Sequence, residues 1–171
     1  MREAIDQRTE TVWRERAKRL SRRPVVRGGQ DITSVIVLGI GKERFGIDLA
    51  DVAEVLPPVR ATPVPGAAAV FAGVINVHGE IRPVLNLRRL LGMEPASKGD
   101  LARVILLRKE GREMGLQVDS VELIRWIGSG DRQSGGDGAG SSPYIRGSTK
   151  DLLMLLGTEA LFAELQTGAI T

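Results

Sequence analysis

Three sets of residues in this chain have types and spacings from which a catalytic site can be built, and each lacks a geometric requirement. His78 is the only histidine among 171 residues. It falls in a predicted hairpin turn, a poor place for the base of a nucleophilic triad. Asp51 and Glu54 are three residues apart, a spacing that more often forms a solvated face than an acid–base pair. Three glycines between residues 39 and 46 imitate part of a dinucleotide fingerprint, but no helix follows to bind a pyrophosphate. We therefore predict a protein without catalytic activity.

The composition also argues against metal and cofactor sites. The chain has no cysteine and a single histidine, which removes disulfides, thiolate chemistry and most designs of metal site. Residues 128–142 are rich in glycine and serine, but they lack the strand-to-helix turn and the Lys-Ser or Lys-Thr pair of a phosphate-binding loop. We predict a flexible loop insertion there, and we expect no cofactor, no metal and no small-molecule substrate.

The net charge of +3 is unevenly distributed. Residues 1–30 contain nine Lys or Arg and four Asp or Glu, a net +5, whereas the remainder contains fifteen and seventeen, a net −2. Five apolar side chains of residues 3–20 share one broad helical face: Ile5, Val12, Trp13, Ala17 and Leu20. A proline and two glycines between residues 24 and 29 end this pattern. Residues 1–30 are thus predicted to be a basic amphipathic α-helix and a linker, and residues 31–171 to be the folded domain.

The rest of the chain alternates short apolar runs with turns. Residues 34–40 and 44–48 predict a first hairpin, and residues 70–77 and 81–85 predict a second one around His78 and Gly79. A short amphipathic segment follows at residues 87–91. Residues 49–56 carry apolar side chains at helical spacing and predict a short helix, which Pro57 and Pro58 would end.

A second copy of this pattern follows at an offset of 69 residues. In it, MGLQVDSVELI at 114–124 aligns with FGIDLADVAEV at 45–55, and residues 151–162 repeat the pattern of 81–92. No long crossover helix separates the strands. A mainly β fold of two five-stranded barrels with short helices accounts for two such halves, since closure removes the exposed edges of short strands.

Several ordered motifs resemble the CheW family, the scaffold that couples chemoreceptors to the histidine kinase CheA in bacterial chemosensory arrays. They are RFGIDLADVAEVL at 44–56, PVPG at 63–66, GVINVHGEIRPVLNLRRLLG at 73–92, and YIRG at 144–147 followed by LLMLLGTEALF at 152–162. The resemblance covers about residues 33–166. It implies two SH3-like β-barrels around a shared hydrophobic centre, and a noncatalytic cytoplasmic protein at receptor arrays. One surface would dock the regulatory domain of a CheA-type kinase, and the groove between the barrels would take a receptor's cytoplasmic tip.

The same resemblance places the partner-binding residues on two segments. They are Val52, Glu54 and Val55 on the predicted short helix, and Gly73, Asn76, His78 and Ile81 on the second hairpin. Core packing is the alternative for Val52, a bulge in the barrel for Gly73, and a solvated turn for His78. The family commonly has arginine at the position of His78, paired with the glutamate at the position of Glu54. We therefore hypothesise a pH-sensitive contact between Glu54 and His78 at the partner surface.

A basic β-barrel that binds nucleic acid is the alternative from another class. It is favoured only by the charge of residues 1–30. Three phenylalanines fall at apolar positions, and Trp13, Trp126 and Tyr144 have no recurrent spacing that would form a stacking platform. The helix of residues 1–30 has three competing uses: packing on the barrels, docking to another partner, or contact with an acidic surface such as a membrane. Its short apolar face favours the first two, so membrane association is expected only through receptors.

Overall fold

In the part of the chain that the computed structural model describes, residues 32–95, 103–134 and 142–167, eleven strands form two sheets. The strands are β1 Ile32–Ile40, β2 Glu43–Asp48, β3 Val52–Val55, β4 Phe71–Val77, β5 Glu80–Asn86, β6 Arg103–Lys109, β7 Arg112–Val118, β8 Ser120–Gly128, β9 Arg132–Ser134, β10 Ile145–Thr149 and β11 Met154–Leu156. The helical segments are α1 Leu87–Leu90, α2 Thr158–Thr167 and two 3-10 turns, Leu49–Asp51 and Ser129–Asp131. The predicted helix and linker of residues 1–30 lie outside the described residues.

The two sheets repeat one pairing scheme, as the offset of 69 predicts. The first has the order β8-β1-β2-β11-β10-β9 and the second the order β3-β6-β7-β5-β4. In each, an antiparallel hairpin is extended by one parallel pair, β2 with β11 and β7 with β5. The halves exchange these hairpins, because β1 and β2 pair with strands of the second half while β6 and β7 pair with strands of the first. The alignment of the two halves did not predict this exchange, nor the sixth strand β9.

The first sheet curls into a barrel because its two edge strands, β8 and β9, are joined by only three residues. Six strands laid flat would hold the edges about 24 Å apart, at about 4.8 Å per strand. Gly128 and Arg132 cannot be more than about 15 Å apart along the chain. The edges of the second sheet, β3 and β4, are also consecutive, and Thr62 between them pairs with Val74 through backbone bonds of 2.8 and 2.9 Å. The predicted architecture of two β subdomains is confirmed.

The central strands β1 and β6 are apolar on both faces because each face packs on a different core. Val35 and Val37 lie in a cluster within the first barrel, and Val104 and Leu106 in one within the second. The alternate residues of both strands join a third cluster, the central cluster, which draws side chains from both sheets: Ile36, Leu38 and Ile40 from β1, Ile105 and Leu107 from β6, with Phe45, Leu85 and Leu116 among others. Burying each such side chain stabilises the fold by roughly 1.5–3 kcal/mol. The barrels are therefore packed against each other through a continuous hydrophobic core.

The predicted helix at residues 49–56 was wrong beyond its first turn. Only Leu49–Asp51 is helical, and Val52–Val55 forms β3 on the edge of the second sheet. The backbone N–H of Leu56 continues this pairing, donating to the carbonyl of Val104 at 2.9 Å. Apolar residues at helical spacing over so few positions do not distinguish helix from strand, and two β-branched valines favour the strand.

The predicted loop insertion at residues 128–142 was wrong for its first part. β8 extends to Gly128, a 3-10 turn follows at Ser129–Asp131, and β9 pairs with β10. Residues 135–141 lie outside the described residues. The polar composition was misleading because an edge strand is held by backbone hydrogen bonds and does not need the apolar alternation of a half-buried strand.

Candidate functional site

The β4–β5 hairpin ends in a two-residue turn that presents His78 to solvent. His78 and Gly79 both have positive φ angles, 52° and 88°, a combination whose twist matches that of the flanking strands. Val77 and Glu80 close the hairpin as its last pair. The Oδ1 atom of Asn76 accepts a hydrogen bond from the backbone N–H of Gly79 at 2.9 Å. The predicted hairpin is confirmed, and its turn is stabilised by the Val77–Glu80 pair and by the Asn76 side chain.

The structure brings Glu54 and His78 together across the two edges of the second sheet. The Oε2 atom of Glu54 on β3 lies 3.0 Å from Nε2 of His78 at the tip of the β4–β5 hairpin. Nε2 can donate this hydrogen bond in the protonated ring and in one neutral tautomer. The side chains are 42% and 77% exposed, so the pair contributes only about 0–1 kcal/mol to stability. The pair therefore stabilises the fold little, and it presents two polar side chains to solvent.

Two exposed apolar side chains lie on the same two segments as this pair. Val55 on β3 is 40% exposed and Ile81 on β5 is 61% exposed. Strand alternation places Ile81 on the same side of β5 as Leu85, which is buried in the central cluster. An apolar stripe therefore runs from the core to the surface. We define the hairpin surface as Glu54, Val55, Asn76, His78 and Ile81.

Val52 and Gly73, the other two predicted contact residues, are packed within the protein, and their contact with a partner stays a prediction. Val52 packs against the central cluster. Gly73 is buried, has a φ angle of 136°, and lies where the register of β4 and β5 shifts at a β-bulge. A Cβ atom on Gly73 would lie 2.1 Å from the carbonyl oxygen of Thr62. The backbone that lies close to Gly73 is therefore that of Thr62 in the same chain.

A groove of about 590 Å³ opens where the central cluster reaches the surface between the barrels. Seven apolar side chains line this inter-barrel groove: Phe45, Leu90, Leu91, Met93, Pro143, Ile145 and Met154. Glu43 adds one carboxylate. A groove was expected from the family resemblance, but its lining residues were not named from the sequence, because they come from four separate segments whose meeting no local pattern indicates.

The first barrel carries a counterpart of the Glu54–His78 pair. Arg125 on β8 forms a salt bridge with Asp151, which lies in the turn between β10 and β11. The Thr149 hydroxyl donates to the other carboxylate oxygen of Asp151 at 2.6 Å. The Arg125 guanidinium, and then the Thr149 hydroxyl, lower the pKa of Asp151 from 3.8 to about 2. The turn is therefore held by an ionised carboxylate.

Asp151→Asn is expected to destabilise the protein at neutral pH and to have less effect in acid. Because the pKa of Asp151 is lower in the folded state than in the unfolded chain, ionisation favours folding. This contribution is complete above about pH 4 and is lost as the pH falls to about 2. Urea unfolding at pH 7 and pH 2.5 should show the gap between the native protein and the variant narrowing with acid. A gap that is equal at both pH values would contradict the assignment.

The described ranges show neither a metal-binding cluster nor a membrane-spanning helix. Across residues 32–95, 103–134 and 142–167, no group of three or more histidine, aspartate or glutamate side chains is arranged to hold a metal ion. In the same ranges, no helix is long and apolar enough to cross a membrane. The features that stand out are the hairpin surface and the inter-barrel groove.

Paired β-barrels that carry the hairpin surface, with its two exposed apolar side chains, and an apolar groove are typical of a protein-binding module. Comparison with known proteins identifies which one. The family model described as the CheW-like domain matches residues 34–166, and the chain belongs to the CheW family. It is a noncatalytic coupling adaptor of chemotaxis signalling, as predicted, and the nucleic-acid alternative is not supported.

Individual relatives agree with this assignment. The chain is 29% identical over 140 residues to the chemotaxis protein CheW of Rhizobium meliloti (strain 1021), covering 82% of this chain and 87% of the relative. It is 29% identical to the probable chemotaxis protein CheW of Rhizobium etli, covering 79% and 90%. Its fold matches the crystal structure of the scaffolding protein TtCheW from Thermoanaerobacter tengcongensis with a TM-score of 0.66 and 26% identity, covering 74% and 88% of the two chains.

Proposed function

We propose that the hairpin surface docks the regulatory domain of a CheA-type histidine kinase, and that the inter-barrel groove holds the cytoplasmic tip of a chemoreceptor. The adaptor would then hold the kinase next to the receptor at a membrane-associated array in the cytoplasm, without a membrane contact of its own. Coupling further requires that the contacts of the adaptor differ between the active and inactive arrangements of the kinase. An adaptor with equal affinity for both would not shift the equilibrium between them.

The observation that carries this proposal is the composition of the hairpin surface. Ile81 and Val55 provide exposed apolar area, while Glu54 and His78 provide polar groups on the same two segments. Protein interfaces commonly combine an apolar centre with a polar rim. A turn with two positive φ angles and a side-chain hydrogen bond within it also limits the conformational entropy lost on binding. The pH sensitivity of the Glu54–His78 contact stays a prediction.

The groove has the features expected for a helical ligand. Its lining is mainly apolar and contains two methionines, Met93 and Met154, whose flexible side chains adapt to irregular partners. Amphipathic helices bind such grooves through apolar side chains spaced three or four residues apart. A receptor tip built from two helices would offer this pattern.

Calorimetric titration with two ligands tests the proposed function. The purified protein is titrated with the kinase regulatory domain and with mixed-sequence single-stranded DNA, each at several salt concentrations. We expect saturable binding to the kinase domain. Binding to the DNA that falls steeply with salt, together with no binding to the kinase domain, would overturn the proposal.

A further inference from the structure

Arg88 in α1 holds the segment that forms one wall of the inter-barrel groove. Its Nη1 atom donates to the carbonyl oxygen of Glu94 at 2.8 Å, and its own carbonyl accepts from the backbone N–H of Met93 at 2.9 Å. The residues between them, including Leu91 and Met93, line the groove. Arg88 itself is not part of the lining, and its side chain is largely buried. Arg88 therefore lies behind this wall and contacts the residues that form it.

Asp119 connects this wall of the groove to the wall that β2 forms. It lies between β7 of the second sheet and β8 of the first, where the chain crosses between the barrels. Its Oδ2 atom accepts from the Arg88 guanidinium and, at 2.7 Å, from the backbone N–H of Gly41. Gly41 leads into β2, which contributes Glu43 and Phe45 to the groove. One carboxylate oxygen thus holds two groove walls together.

Further short distances link the segments that carry these three groups. A Cβ atom on Gly41 would lie 3.7 Å from Nη2 of Arg88, so this turn lies next to the guanidinium. The backbone N–H of Asp119 donates to the carbonyl of Gly39 at 3.1 Å, which ties the crossover to β1. A charged hydrogen bond in a partly buried place holds such groups more firmly than an exposed ion pair does.

A second cluster of the same construction lies elsewhere in the fold. Asp51 is at the other crossover, between β2 and β3, and accepts a hydrogen bond from Thr158 of α2. Lys109 at the end of β6 lies 3.8 Å from the Asp51 carboxylate and 3.0 Å from that of Glu159. None of these residues lines the inter-barrel groove. This cluster therefore supplies a matched control.

We propose that Arg88 and Asp119 are a positioning pair that sets the width of the inter-barrel groove and thereby its affinity for a helical receptor tip. The inference rests on the proposed function of the groove. It assigns to two residues outside the binding surface the task of keeping that surface in its binding conformation, so that less ordering is required when the ligand arrives.

Amide hydrogen exchange on the free protein and binding of a receptor cytoplasmic-tip fragment test this proposal together. Asp119→Ala should speed exchange at both Gly41 and Met93, and Arg88→Met mainly at Met93. Both variants should weaken binding of the fragment by roughly tenfold, the size of a typical coupling between sites. Lys109→Met should change neither exchange at these amides nor binding. If Asp119→Ala does not fold, Asp119→Asn keeps an acceptor for Gly41 and should affect Met93 alone.

Two results would overturn the positioning role. One is unchanged exchange at Gly41 and Met93 in folded Asp119 and Arg88 variants, and the other is an equal loss of binding in Lys109→Met. If the native protein does not bind the fragment, the proposed function of the groove fails together with the effect on affinity. The exchange rates then decide separately whether the pair sets the geometry of the groove.

Discussion

Gly73→Ala is expected to cost roughly 3–5 kcal/mol of folding free energy, a large part of the 5–15 kcal/mol that typically stabilises a domain. The φ angle of 136° at this residue is one that side chains rarely adopt, and the new Cβ atom would lie 2.1 Å from the carbonyl oxygen of Thr62. Thr62 cannot withdraw without breaking its two backbone hydrogen bonds to Val74. The substitution is therefore expected to break the pairing of Thr62 with Val74, which closes the second barrel.

Gly79→Ala is the matched control for this prediction. Gly79 also has a positive φ angle, 88°, but a Cβ atom there would have no heavy atom within 4 Å beyond its chain neighbours. Only the backbone strain remains, about 1–2 kcal/mol. Urea unfolding followed by circular dichroism gives both values. Equal losses in the two variants would show that the close approach of Thr62 is not what requires a glycine at position 73.

Ile81→Asp is expected to weaken binding of the kinase regulatory domain by roughly 30-fold or more, the effect of losing an interface residue worth about 2 kcal/mol. Ile81 is the most exposed apolar side chain of the hairpin surface. A carboxylate there would lose its hydration beside the partner. Calorimetry with the purified regulatory domain measures the change.

Leu123→Asp provides the control for this substitution. Leu123 is 51% exposed on β8 of the first barrel, so the chemical change and the strand environment are similar while the location differs. We expect its affinity to stay within about twofold of the native value, as for residues outside an interface. A loss in Leu123→Asp that matches that of Ile81→Asp, with both variants folded, would remove the hairpin surface from its proposed role.

The elements that the sequence predicted best are those with strong local signals. The β4–β5 hairpin follows from two apolar runs around His78 and Gly79, and β1 follows from the apolar run of residues 34–40. β3 was mistaken for a helix because four residues carry too little periodicity to decide. The exchange of hairpins between the halves has no local signal at all, since alternation shows which face of a strand is buried but not which strand lies beside it.

The contacts of the candidate site also differ in whether they could be predicted. The contact between Glu54 and His78, which are 24 residues apart, was anticipated from the resemblance to a family, because nothing in their spacing indicates it. The pair of Arg88 and Asp119, 31 residues apart, was not anticipated. Its members meet only because the chain crosses from one barrel to the other at Asp119, and that crossover is a property of the exchanged topology.

The most direct test of the whole account is amide chemical-shift mapping on the isotopically labelled protein with the two partners added separately and then together. The kinase regulatory domain should perturb the hairpin surface, Glu54, Val55 and Ile81, and the receptor fragment should perturb the inter-barrel groove, Phe45, Met93 and Met154. Both sets should persist when both partners are present. Displacement of one partner by the other, or shifts at one shared set of residues, would contradict an adaptor that holds its two partners at separate places.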